Sequence, residues 1–138
     1  MNDDVPKIEE FFDLKRTAYA EYYEGIDYPW DVLERIPGIV DKEIEPGGAG
    51  SIADSANIGE SVEIGEGTVV EPGATIQGPA IIGQGCEVRS GAYIRSDVIV
   101  GDGVTVGHST ELKRSLVHDE AEIPHFSYVG DSVIGWKG

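Results

Sequence analysis

Cysteine is almost missing from this chain, and positive charge and long apolar runs are scarce. A single thiol, Cys86, excludes an internal disulfide framework and is compatible with a reducing compartment. Ten Lys and Arg stand against 26 Asp and Glu, a formal net charge of −16. A field of that sign repels nucleic-acid phosphates and anionic membrane surfaces, so neither is an expected partner. The acidity reads either as an ordinary solvated surface or as the carboxylate coat of a halophilic protein from a high-salt cytoplasm. No apolar run approaches the ~20 residues that span a bilayer. Met1-Asn2-Asp3-Asp4 does not read as a signal peptide, and the expected location is cytoplasmic. At 138 residues there is room for one ordinary domain with a small appendage.

Two grammars divide what is present. Residues 1–46 read as an N-terminal helical segment. In KIEEFFDLKRTAYAEYY, Ile8, Phe11, Phe12, Tyr19 and Tyr22 recur at helical spacing. Asp27-Tyr28-Pro29-Trp30 predicts a turn whose Pro opens a second helix through Ile36. Pro37-Gly38 is expected to break or kink that helix, and Pro46-Gly47-Gly48 to end the segment.

From residue 47 to 138 the period becomes six. Ile52, Ile58, Ile64, Val70, Ile76, Ile82, Val88, Ile94, Val100, Val106 and Leu112 are eleven aliphatics at strict six-residue spacing. Ile, Leu and Val make up only 33 of the 138 residues, so chance does not supply such a run. Val117, Ile123, Val129 and Ile134 continue it, with five-residue steps at Val117 and Ile134. Four residues after each aliphatic comes a small or apolar side chain, among them Ala56, Val62, Thr68, Ala74, Ala80, Cys86 and Ala92. Turn pairs such as Glu66-Gly67, Pro72-Gly73, Gln84-Gly85, Ser90-Gly91 and Asp102-Gly103 lie between them. This is a hexapeptide β-helix repeat.

One hexapeptide makes one short strand and one corner, and three corners close a coil of about 18 residues. Positions i+4 and i+6 share one side of a pleated strand, so the aliphatic and the small residue both point inward. About five coils are predicted, stacked at the ~4.8 Å strand spacing. The same repeat accounts for the glycines of GEGTVVEPG and GDGVTVG, which no helix follows, so they do not read as phosphate loops. Cys86 falls on an inward small position and reads as a buried structural thiol.

Stacking the coils brings distant residues together. Arg95 and Lys113 each follow an inward aliphatic, point outward and share a column, with Gly130 next. The neighbouring column reads Tyr93, Glu111, Tyr128, and the corner entering that strand stacks Ser90, His108 and His125. In so acidic a chain this face is either a solvated ladder, with Glu111 neutralising Arg95 and Lys113, or an anion site. Arg and Lys suit phosphate, and His suits proton transfer near neutral pH.

GAYIRSDVIVGDGVTVGHSTELKRS followed by PHFSYVGDSVIG resembles the acyltransferase domain of bifunctional sugar-1-phosphate nucleotidyltransferase/glucosamine-1-phosphate N-acetyltransferases. The resemblance covers roughly residues 80 to 138 and is specific in R-x(17)-K and PH-x-x-YVGDS. YPWDVLERIP looks like the helical junction that leads into this β-helix in stand-alone members. The resemblance implies a left-handed parallel β-helix, an exception to the usual crossover hand. It also implies an N-acetyltransferase acting on an amino-sugar 1-phosphate in UDP-GlcNAc-type nucleotide-sugar biosynthesis. Acetyl-CoA would be the co-substrate, no metal would be needed, and a homotrimer would place sites between subunits. By the same resemblance Arg95 and Lys113 bind the sugar phosphate, Tyr128 helps hold it, and His125 is the general base for the sugar amine.

Two departures stand out. His108 replaces an Asn usual in bacterial members, and the chain ends at Gly135-Trp136-Lys137-Gly138. In the family a Gly-Ala-Gly run and later Asn and Lys positions complete the substrate and acetyl-CoA sites. The β-helix is therefore expected to be truncated at its C-terminus and to carry mainly the sugar-phosphate half. Two alternatives stay open. One is a non-catalytic trimerising or regulatory module associated with sugar nucleotidyltransferases. The other resembles γ-class carbonic anhydrases, with His108, His118 and His125 as zinc ligands, although their spacing differs from that family's pairs. Phe11, Phe12, Tyr19 and Trp30 are expected to cover an apolar end or face of the coil.

Overall fold

The computed structural model describes residues 6–14 and 19–138. Three parallel sheets of two- and three-residue strands form the walls of a left-handed β-helix of about five coils. The first face stacks Gly47–Gly48, Val62–Ile64, Ala80–Ile82, Val98–Val100, Ser115–Val117 and Val133–Ile134. The second stacks Ser51–Ile52, Val69–Val70, Glu87–Val88, Thr105–Val106 and Glu122–Ile123. The third stacks Asn57–Ile58, Thr75–Ile76, Tyr93–Ile94, Glu111–Lys113 and Tyr128–Gly130.

The six-residue period sets the register. Val70 lies opposite Val88, an 18-residue step, and Val106 opposite Ile123, a 17-residue step, so the shortened repeat is absorbed without breaking the column. Ile64, Val70, Ile76, Ile82, Val88, Ile94, Val100, Val106, Leu112 and Val117 are all buried inside the coil. Each contributes roughly 1.5–3 kcal/mol by leaving water. Ile58 and Ile52, in the first coil, are half-buried and exposed because no coil stacks beneath them among the described residues.

Most corners turn through a residue in the left-handed backbone region, and these residues also stack. One column contains Gly85, Gly103, Glu120 and Lys137 at φ of 63°, 67°, 60° and 54°. A second contains Gly91, Ser109 and Phe126 at 75°, 52° and 57°. A third contains Asp97, Arg114 and Asp131 at 59°, 41° and 48°. Cys86 points inward and donates its S–H to the Gly101 carbonyl at 3.0 Å. Burial pushes its thiol pKa up, in keeping with a structural role.

The N-terminal segment departs from the expected pair of helices. Its described parts are α1 (Ile8–Phe11), a 3-10 turn at Ala20–Tyr23 and a second at Pro29–Asp31 that runs into α2 (Val32–Glu43). Helix α2 therefore passes Ile36 and is not broken at Pro37-Gly38. Pro37 costs about 3 kcal/mol in a helix interior. Against that, Val32, Leu33, Ile36 and Val40 are buried against Ile99 and Leu116, which point outward from the first face. That apolar column, Ile81, Ile99, Leu116 and Val133, is in register across four strands. Phe12 and Tyr19 help cover it. Phe11 and Trp30 do not: they are 50% and 51% exposed, Trp30 lying flat on Tyr28 with ring centroids 5.1 Å apart.

Candidate functional site

The third face carries the column that the spacing predicted. Tyr93 lies opposite Glu111, and Glu111 opposite Tyr128. The Arg95 backbone N–H donates to the Leu112 carbonyl at 2.8 Å, which sets Arg95 beside Lys113, and Lys113 faces Gly130. Gly130 lies beneath the Tyr128 ring; a Cβ there would collide with the Tyr128 hydroxyl and Cζ. The absence of a side chain thus lets the phenol fold over the residue paired with Lys113.

The charges are paired differently from a single Glu111 ladder. Arg95 Nη1 meets Glu111 Oε2 at 3.2 Å, whereas Lys113 Nζ lies 3.9 Å from Asp131 Oδ2. A third cation, Arg114, also reaches Asp131, Nη1 to Oδ1 at 3.2 Å. Sequence reasoning passed over Arg114 and Asp131. Their signal was their position one residue beyond Lys113 and Gly130, at a corner where side chains fan outward. All these groups are 35–48% exposed, so the pairs are worth at most about 1 kcal/mol each and can open for a ligand.

At the corner between the second and third faces the imidazoles stack as expected. His108 Nδ1 is 2.6 Å from the Ser90 carbonyl oxygen. A carbonyl can only accept, so Nδ1 donates its proton to it, and Nε2 lies 3.3 Å from the Ser109 hydroxyl. Phe126 stands edge-on between the two rings, 5.4 Å from His108 and 5.3 Å from His125. It is 74% exposed and left-handed, an uncommon conformation for a bulky residue. The His125 ring makes no hydrogen bond among the described residues. It opens, with His108, Arg89, Thr105 and Glu122, onto a cavity of about 420 Å³ on the second face. Arg95, Lys113 and Tyr128 do not line that cavity, so one chain displays the imidazoles and the cation column around a corner from each other.

His118 belongs to neither group. It occupies a column that begins at Ala49 and continues with Gly65, Gly83, Gly101 and Gly135, where a Cβ on Gly65, Gly83 or Gly101 would strike the next coil. Its ring turns outward beneath the N-terminal segment, fully buried among Phe12, Tyr19 and Tyr23, with Nε2 2.6 Å from the Tyr23 hydroxyl. Nδ1 has no partner among the described residues, and burial pushes the imidazole down to about 4. The three His therefore do not form one ligand set, and among the described residues no group of three His, Cys, Asp or Glu is placed to hold a metal ion. A larger groove of about 730 Å³ beside the first face is lined by Glu43, Glu45, Glu63, Glu66 and Asp102, which disfavours an anion.

Such a coil, with a phosphate-suited column on one face, places the chain among the hexapeptide-repeat left-handed β-helix proteins. Residues 76–138 match the family described as GMPPB C-terminal domain. Over 135 residues the chain is 37% identical to the Bifunctional protein GlmU of Methanococcus maripaludis strain DSM 14266, covering 98% of this chain and 33% of that protein. The corresponding protein of strain C7 is 43% identical with the same coverage. The chain thus spans about a third of the length of the curated relatives it matches. Among solved structures, the acetyltransferase domain of PglB from Neisseria gonorrhoeae, in complex with acetyl coenzyme A, gives a TM-score of 0.39 at 13% identity, covering 78% of this chain and 58% of that one. The chain is thus a left-handed β-helix similar in sequence to GlmU proteins over nearly its whole length. No helix among its described residues is long and apolar enough to cross a membrane.

Proposed function

We propose that this chain is the β-helix domain of a CoA-dependent N-acetyltransferase acting on an amino-sugar 1-phosphate, and that it carries mainly the sugar-phosphate half of the site. In this reading residues 47–138 are the catalytic coil, and the described residues before it brace its first face. The observation that carries it is the column of Arg95 and Lys113 with Tyr128 folded over Gly130. That column falls in the segment that matches both the family and the relatives. Two stacked cations about 5 Å apart suit the oxygens of one phosphate, and the phenol adds a neutral donor.

The chemistry follows from the acceptor. The sugar amine attacks the acetyl carbonyl of acetyl-CoA; the N–C bond forms, the C–S bond breaks, and CoA leaves as the thiol. The attacking nitrogen must first be neutral, since an ammonium has no lone pair, and His125 takes its proton as the amide forms. Because His125 and the cations open on different faces, a homotrimer suits this reading. Packed about a threefold, the second face of one copy meets the third face of its neighbour and closes a site between them.

Isothermal calorimetry with glucosamine-1-phosphate, followed by a CoA-release assay with acetyl-CoA, tests the proposal. Saturable sugar-phosphate binding by this chain is expected, and in a longer chain that also supplies the acetyl-CoA half His125→Ala should lower kcat by roughly 10²–10⁴, with His108→Ala doing less. Absence of both binding and turnover would contradict it. The second reading is a non-catalytic trimerising module, which the unoriented His125 ring favours. It predicts a trimer by light scattering with no affinity for the sugar phosphate.

A further inference from the structure

Asp131 holds two cations at once. Its Oδ2 faces Lys113 Nζ at 3.9 Å and its Oδ1 faces Arg114 Nη1 at 3.2 Å. A carboxylate spanning an ammonium and a guanidinium occupies the place that two oxygens of a phosphate monoester would take. Beside it the Tyr128 ring covers Gly130, so a hydroxyl donor converges on the same corner. The backbone explains why both charged side chains are there. Arg114 and Asp131 are stacked corner residues in the left-handed region, held by Arg114 N–H to the Ser96 carbonyl at 3.0 Å and Asp131 N–H to the Lys113 carbonyl at 3.1 Å. Glycine would adopt that conformation without strain, so two charged residues are kept at a conformational cost. Asp97, one coil below in the same column, makes no ion pair with Arg114 among the described residues. Glu111 is engaged by Arg95.

We infer that Arg114 is a third phosphate-binding residue, and that Asp131 is a built-in placeholder whose carboxylate keeps Lys113 and Arg114 apart and paired until a phosphate monoester displaces it. The inference rests on the sugar-phosphate reading above and adds to it a specificity device. Only a ligand bringing more negative charge than one carboxylate displaces Asp131, so a dianionic phosphate is selected over a monoanionic sugar acid. In a chain of net charge −16, the same pairing keeps two scarce cations from recruiting the protein's own surface acids.

Calorimetric titration of glucosamine-1-phosphate, and of glucuronate as the carboxylate probe, into the wild type, Asp131→Asn and Arg114→Gln tests this directly. Asn keeps the size of Asp and tolerates the left-handed backbone. Thermal melts of each variant confirm that it is folded. The expected result is glucosamine-1-phosphate binding roughly 2–5-fold tighter in Asp131→Asn, the worth of removing one exposed competing pair, with glucuronate gaining more. Arg114→Gln is expected to weaken sugar-phosphate binding roughly tenfold. If the wild type binds glucosamine-1-phosphate but Asp131→Asn binds it no better, or Arg114→Gln binds it equally well, the placeholder is wrong while the sugar-phosphate reading survives. If no variant binds the sugar phosphate, both fail.

Discussion

The coils up to Gly91 and those after it solve the same geometric problem with different residues. From Gly67 onward the corners turn through a left-handed residue, whereas those at 54–55 and 60–61 do without one. In the earlier coils glycine fills that role at Gly67, Gly73, Gly78, Gly85 and Gly91. After Gly91 only Gly103 does so, and Asp97, Ser109, Arg114, Glu120, Phe126, Asp131 and Lys137 take the rest. A non-glycine residue there costs roughly 1–2 kcal/mol. The candidate site residues Arg95, Lys113, His125 and Tyr128 all lie in the costlier half. Glycine corners build a smooth scaffold, and corners with side chains give the later half its chemistry. Strain gathered on one set of coils points to a functional surface.

The largest effect expected from breaking this comparison lies in the shared core. Leu112→Ala, fully buried in the later half, should cost about 2–5 kcal/mol of unfolding free energy. Ile52→Ala, 38% exposed in the first coil, should cost well under half of that. Equal losses in urea unfolding would show that the coils do not differ in packing as described.

Next comes His118, the one imidazole that the scaffold buries. Unfolded, it takes up a proton near its ordinary 6.5; folded, it resists until about 4. Between those values the unfolded chain binds more protons, so stability rises with pH and is lost as pH falls from 6.5 towards 4. From pH 7 to pH 5 the His118 contribution should be a loss of about 2 kcal/mol. His118→Gln should flatten that slope, and an unchanged slope in denaturant titrations would place the ionisation elsewhere.

On the third face the expected effect moves from stability to binding. Lys113→Ala should weaken glucosamine-1-phosphate binding by roughly 1.5–3 kcal/mol while changing stability by less than about 1 kcal/mol. A loss of stability without a loss of affinity would return the column to a solvated ladder. The smallest effect belongs to Phe126→Gly. Restoring glycine to this corner should stabilise the fold by about 0.5–1 kcal/mol in urea unfolding, because an aromatic residue no longer has to hold φ 57°. A destabilised variant would mean that the His108–Phe126–His125 contacts outweigh the strain.

Much of this was legible in the sequence because a six-residue period fixes depth and direction together. Once Ile94 and Leu112 were inward, Arg95 and Lys113 had to be outward and stacked, and the five-residue step at Val117 carried the count on to Tyr128 and Gly130. The N-terminal segment was harder to read. Helical spacing in KIEEFFDLKRTAYAEYY reflects a chain that folds its apolar side chains onto the first face, where tertiary packing overrides local propensity. The same packing carries α2 through Pro37. Residues 15–18 of that stretch lie outside the described residues. The acceptor for this segment could have been found at Ile81, Ile99, Leu116 and Val133, outward aliphatics one coil apart. His118 could have been found as the one large side chain in a column of glycines headed by Ala49. The position of Arg114 and Asp131 was legible beside Lys113 and Gly130, but their pairing was not, because a corner residue's side-chain direction depends on a left-handed φ that only glycine announces.

The most direct test is a map of backbone amide shifts as glucosamine-1-phosphate is titrated into the uniformly labelled protein. Saturable changes confined to residues 93–95, 111–114 and 125–131, with residues 47–88 unmoved, are the predicted result. Changes centred on the glycine-cornered coils, or none at millimolar ligand, would contradict the claim that the strained half is the ligand-binding half.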